Sequence, residues 1–132
     1  MDDPIWITID AARLIHEEQL AEHGGQAGVR DENLLASAIG RPRNLFAYTD
    51  PTPTIAMLAA SYAFGIARNH AFLDGNKRTA LVVCRTFLIL NGLDLTASPD
   101  ERYRVFLGLA AGTVTEAELA DWLTKNTAAT AG

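Results

Sequence analysis

His70-Ala-Phe-Leu-Asp-Gly-Asn-Lys-Arg-Thr-Ala-Leu-Val-Val-Cys-Arg-Thr-Phe-Leu-Ile-Leu90 joins a polar, glycine-containing break to an apolar run. The run Ala80-Leu-Val-Val-Cys84, followed by Phe87-Leu-Ile-Leu90, is apolar almost all round. Such a pattern predicts a helix from near Asn76 to Asn91-Gly92 that forms the buried centre of a bundle. A helix that cannot leave the core holds the polar residues before it at the mouth of the bundle, and a precise site needs that support.

Working outward, the rest of the chain also reads as helical. Thr8 is a plausible N-cap for a first helix from Ile9 to His23, with Asp10 in its first turn and Gly24-Gly25 at its end. A second helix starts near Asp31 and carries Leu34, Leu35, Ala38 and Ile39. It is expected to stop at Gly40, before Pro42. Residues 41–53, with three prolines, read as an irregular crossover that could be a flap or short hairpin. A third helix is expected from Pro53, with Thr52 as N-cap, to about Asn69. Ser98-Pro-Asp-Glu101 and Thr115-Glu-Ala-Glu118 have the capping-box pattern and open the last two helices. No strand stands out, although Leu93 to Thr96 could be extended. The expectation is an all-α, single-domain bundle of about six helices covering residues 1–132.

Composition narrows the function classes. A chain of 132 residues can bury roughly two-thirds of its unfolded surface, enough for a real core. A formal charge of −5 weighs against direct nucleic-acid binding. One cysteine, Cys84, excludes a disulfide framework within the chain and makes a cysteine-based zinc site improbable. The start Met1-Asp-Asp-Pro-Ile lacks the pattern of a signal peptide. No apolar stretch reaches the roughly 20 residues of a membrane span. No membrane association is expected, and the cytoplasm is the expected compartment.

The polar break carries the chemistry. A helix N-terminus has free N–H groups and a partial positive charge. Gly75 removes side-chain bulk, so an anion can approach the backbone. Lys77 and Arg78 add full charges, the lysine as a point charge and the arginine as a bidentate fork for phosphate. Asn76 offers an amide donor and a carbonyl acceptor. Asp74 is a suitable magnesium ligand beside a polyphosphate. A neutral His70 just outside this nest could take the proton from an attacking hydroxyl. Together these groups suit phosphoryl or nucleotidyl transfer. Taken singly, each has a structural alternative: His70 as a packed or capping side chain, Asp74-Gly75 as a turn, Asn76 as an N-cap. The spacing of the set is what argues for a site.

His70-Ala-Phe72-Leu-Asp74-Gly75-Asn76-Lys77-Arg78 resembles the Fic signature H-x-F-x-(D/E)-G-N-x-R. The likeness extends over nearly the whole chain: Ile15-His-Glu-Glu to Gly24-Gly25, the Leu34-to-Gly40 helix with Arg41, and Asn91-Gly92 are similar to the death-on-curing (Doc) branch. That resemblance implies His70 as general base, Asp74 as holder of the metal on the nucleotide, Gly75 and Asn76 as the anion-binding turn, Arg78 as the phosphate-binding arginine and Phe72 as the buried anchor. Nucleotidyl-transferring members usually have glycine where this chain has Lys77, and a second arginine where it has Leu81. The lysine variant is associated in Doc proteins with a reversed nucleotide. The resemblance therefore implies a kinase that uses ATP and magnesium, with a threonine of elongation factor Tu as target and arrested translation as outcome. Gly75 is the general Fic choice, whereas some Doc sequences have alanine there. The inhibitory pattern (S/T)-x-x-x-E-(G/N) of many Fic proteins matches nowhere in this chain. Inhibition is then expected in trans, from a Phd-like antitoxin.

Two other readings stand beside this one: a Fic-type nucleotidyl transferase using the same groups, and a non-catalytic binding module. Elsewhere, His16 and His23 are expected at the surface or helix end, Trp6 and Trp122 as packing residues, Cys84 as a buried small hydrophobe, and Arg102, Tyr103 and Arg104 as a solvated patch.

Overall fold

The computed structural model describes residues 3–130. Six helices, α1 (Ile9–His23), α2 (Glu32–Tyr48), α3 (Ile55–Asn69), α4 (Asn76–Leu90), α5 (Pro99–Ala111) and α6 (Glu116–Lys125), account for most of it. Two short strands, β1 (Leu93–Leu95) and β2 (Thr127–Ala129), complete the described fold.

Local chemistry sets most helix starts. The side chains of Thr8, Asp31, Thr54, Ser98 and Thr115 each accept a backbone N–H in the first turn of α1, α2, α3, α5 and α6. The Thr115/Glu118 box is complete, with bonds in both directions. For Ser98 only the serine half forms. The cap of α3 is Thr54 rather than Thr52, because the Thr54 hydroxyl takes the Met57 N–H while Pro53 is buried before the cap.

A further expectation is corrected. α2 does not stop at Gly40; it runs through Pro42 to Tyr48, so most of the expected crossover is helical. An interior proline costs a helix roughly 3 kcal/mol. Tertiary contacts offset that cost here. Pro42 is buried, Phe46 meets the edge of Trp6 at 5.6 Å, and the Arg41 guanidinium grips Glu116 of α6 at 2.5 and 2.7 Å. The same guanidinium bonds Ser61 at 2.9 Å and lies over the Phe64 ring. Leu93–Leu95 is extended, as the sequence allowed, because it pairs antiparallel with Thr127–Ala129, Leu95 lying opposite Thr127.

Buried residues of all six helices join one core cluster. Its most enclosed helix is α3, with ten of fifteen residues buried against six of fifteen for α4. The centre expected at α4 is therefore shared. Small residues make α3 central: a Cβ on Gly65 would sit 3.1 Å from the Ala38 Cα, so α2 and α3 meet nearly backbone to backbone. On α4, Val83, Cys84, Phe87 and Leu88 face the core, while Ile89 and Leu90 remain partly exposed. Burial pushes the Cys84 thiol well above its ordinary pKa, as expected of an inert small hydrophobe. Trp6 stacks on Phe87, and Trp122 is half-buried. No helix among the described residues is long and apolar enough to cross a membrane.

Candidate active site

The site forms where α3 gives way to α4. α3 ends at His70, a non-glycine residue in the left-handed region at φ 50°. Such a backbone costs roughly 1–3 kcal/mol and persists only where the surroundings determine it. Arg30 does much of this: Nη2 donates to the Asn69 carbonyl at 2.8 Å and Nε to the His70 carbonyl at 2.7 Å. Its backbone N–H takes the next carbonyl, that of Ala71, at 2.7 Å. These are the orphan acceptors at the negative end of a helix, where a cation is favoured.

The loop continues through Ala71 and Phe72, both buried. Asn76 closes it. Its Oδ1 accepts from the Phe72 N–H at 3.1 Å, and its Nδ2 donates to the Phe72 carbonyl at 3.0 Å. The amide expected to face an anion is thus engaged in shaping the loop. The far side of the loop pairs with the segment before α2: Leu73 N–H donates to the Gly28 carbonyl, and Val29 bridges to Phe72.

Gly75 opens α4 in the left-handed region, at φ 76°. Unlike the starts of the other five helices, this one receives no side-chain cap bond. Its first-turn residues Asn76, Lys77 and Arg78 lie at the wall of a cavity of about 620 Å³. His70, Asp74, Lys77 and Arg78 line one side, and Tyr103, Phe106 and Leu107 of α5 line the other. That volume suits a nucleotide-sized ligand, and a few polar groups on an otherwise apolar lining are the usual make-up of such sites. Leu81 lies on the same wall, half-buried, one turn beyond Arg78. Lys77 and Arg78 are exposed and take part in no ion pair among the described residues.

Asp74 is held by backbone donors. Its Oδ2 accepts from the Gln26 N–H at 3.2 Å and its Oδ1 from the Gly75 N–H at 2.8 Å. These bonds, with the Arg78 charge behind them, hold its carboxyl below the usual range, so it stays anionic. No group of three or more His, Cys, Asp or Glu among the described residues could hold a metal. A lone anionic carboxylate is the donor set of a magnesium ion shared with phosphate oxygens and water.

The structure thus brings His70, Asp74, Gly75, Asn76, Lys77 and Arg78 together around one cavity, with Phe72 beneath. It also corrects the reading of two other regions. His16, expected at the surface, is 3% exposed under the loop, where its Nε2 donates to the Asp74 carbonyl at 2.8 Å. The Ala12–His16–Leu20 spacing of one helix face was the signal available for it. Arg102 is not simply solvated but donates to the Ala97 and Leu95 carbonyls, and Tyr103 lines the cavity. His23 sits at the exposed end of α1, 3.7 Å from Glu22.

The sequence model of the Fic/DOC family matches residues 6–88 of this chain. The chain belongs to the Fic/DOC family. Within it, this Fic/DOC chain is similar to two Doc proteins. It is 34% identical over 109 residues to "Protein kinase doc" of Escherichia phage P1, covering 83% of this chain and 85% of that protein. It is 44% identical over 77 residues to "Toxin Doc" of Mycolicibacterium smegmatis, covering 58% of this chain and 59% of that protein. The family match takes in the motif loop and the segment that backs it, and it stops before α5, the far wall of the cavity.

Proposed function

We propose that this Fic/DOC chain is the toxin of a type II toxin–antitoxin pair and acts as a protein kinase. It moves the γ-phosphoryl group of ATP to a threonine hydroxyl of elongation factor Tu and so arrests translation. The observation that carries the reading is the uncapped N-terminus of α4, flanked by Lys77 and Arg78 and open to a cavity with His70 and Asp74 on its wall.

Each group has a role in that chemistry. His70 takes the proton as the hydroxyl oxygen bonds to phosphorus, and the bond from phosphorus to the bridging oxygen of the departing ADP breaks. Arg78 and the first-turn N–H groups of α4 balance charge on the phosphate oxygens, and Lys77 adds a point charge at the same end. Magnesium, held by Asp74, would neutralise polyphosphate charge. Phosphoryl transfer demands little else of a protein beyond positioning and charge. Lys77 and Leu81, in place of the small residue and second arginine of nucleotidyl transferases, favour transfer of the terminal phosphate. An antitoxin similar to Phd restrains the activity in trans. The relatives' names and the unmatched inhibitory pattern within this chain support that part of the reading.

The test is incubation of the purified protein with magnesium, elongation factor Tu and ATP labelled at either the γ- or the α-phosphate. The expected result is γ-label on the target, lost in His70→Ala. α-Label on the target would instead make the chain a nucleotidyl transferase. Toxicity unchanged in His70→Ala would make it a binding module.

A further inference from the structure

His16 is a buried, titratable side chain to which the chemistry above gives no part. It belongs to α1, yet it meets the motif loop 58 residues away. Its ring lies parallel to Phe72, with centroids 3.8 Å apart and 11° between planes. A Cβ on Gly75 would also come within 3.7 Å of the same ring. An apolar side chain could fill that space equally well. What the imidazole adds is a donor. A carbonyl oxygen only accepts, so Nε2 carries the hydrogen in the 2.8 Å bond to the Asp74 carbonyl.

We propose that His16 is a positioning residue for nucleotide binding: it holds the peptide between Asp74 and Gly75, which joins the carboxylate to the anion-facing turn. The proposal rests on the reading of the cavity as an ATP site. Both ends of that peptide are fixed. His16 takes the Asp74 carbonyl, and the Asp74 Oδ1 takes the Gly75 N–H at 2.8 Å. Gly75 then starts α4, so the tilt of this peptide sets where the first-turn N–H groups point. It also sets the reach of the Asp74 carboxylate, whose Oδ2 is tied to Gln26. Without the imidazole, the peptide can rotate away from this orientation, and both the carboxylate and the N–H groups lose their aim. His70 is held by a different partner, Arg30, so His16 acts on nucleotide affinity rather than on the proton-accepting step.

The experiment compares wild type, His16→Phe and His16→Gln. Phenylalanine keeps the stack on Phe72 and lacks the donor; glutamine keeps a donor and lacks the ring. Calorimetric titration with magnesium and a non-hydrolysable ATP analogue reads binding without turnover, and thermal unfolding reads the fold. The expected result is analogue affinity weakened roughly 5- to 100-fold in His16→Phe, the range for losing one bond to a part-buried carbonyl, with the unfolding midpoint little changed. His16→Gln should recover most of that affinity. In transfer assays the loss should fall on KM for ATP, with kcat nearly kept. If His16→Phe does not fold, His16→Met, flexible and of similar volume, takes its place. Equal affinity in wild type and the donor-less variant would overturn the proposal and leave His16 as packing. Failure of the wild type itself to bind the analogue would instead overturn the ATP-site reading, and this proposal with it.

Discussion

The two sides of the motif loop are built differently. On the cavity side, His70, Lys77 and Arg78 are exposed, and neither Lys77 nor Arg78 is in an ion pair among the described residues. Other residues hold the loop: buried His16, half-buried Asn76 and exposed Arg30 bond its backbone, and the Gln26 N–H bonds Asp74. The contrast shows how one short segment can be both open to a ligand and fixed. Groups kept free for a ligand cannot also hold the chain, so the chain is held from behind by residues distant in sequence.

Mutations can break that contrast from either side. The largest effect is expected from the cavity side. His70→Ala should lower transfer by roughly 10²- to 10⁴-fold, the usual share of a positioned base, while the unfolding midpoint stays near wild type because the side chain is exposed. A change behind the loop should act on both properties. At Gly25, which has a φ of 126°, an added Cβ would fall 2.9 Å from both the Asp74 Oδ2 and the Leu20 Cδ2. Gly25→Ala should therefore cost about 1–3 kcal/mol in denaturant unfolding, from backbone strain alone, and weaken ATP binding as Asp74 is displaced.

A smaller effect concerns pH. The Gln26 and Gly75 N–H groups hold the Asp74 carboxyl below its ordinary value of 3.8. A group whose pKa is depressed on folding stabilises the fold above its unfolded pKa, and that contribution is lost as pH falls through the folded value. Asp74→Asn should thus flatten the pH dependence of the unfolding midpoint below pH 3.8 and leave its slope near neutrality unchanged. The smallest effect lies away from the site. The Arg41–Glu116 pair is 39% and 28% exposed, so Glu116→Gln should cost at most about 1 kcal/mol and leave transfer unaltered.

What could be read from the sequence follows the same division. The caps Thr8, Ser98 and Thr115, the Gly24 and Gly75 positions and the motif itself are local signals, each complete within a few residues. The second half of α2 was not legible, because Pro42 and Gly40 argue locally for a stop. What outweighs them is the packing of Pro42 and Phe46 together with an ion pair between residues 75 positions apart. The face spacing around His16 could signal its burial, but not its bond to Asp74, which lies on another helix junction. β2 had no signal at all: Thr127-Ala-Ala is extended only because Leu93–Leu95 lies beside it. The cavity side of the loop is thus written in one stretch, and the residues that hold it from behind, Asn76 apart, lie within residues 16–31.

The proposed phosphorylation of elongation factor Tu through His70 can be tested in one experiment. The most direct test is the intact mass of elongation factor Tu after incubation with the protein, magnesium and ATP, for wild type and His70→Ala in parallel. The expected result is a gain of one phosphate with wild type and none with the variant. A gain of one adenylate, no gain with wild type, or the same phosphate gain with His70→Ala would contradict it.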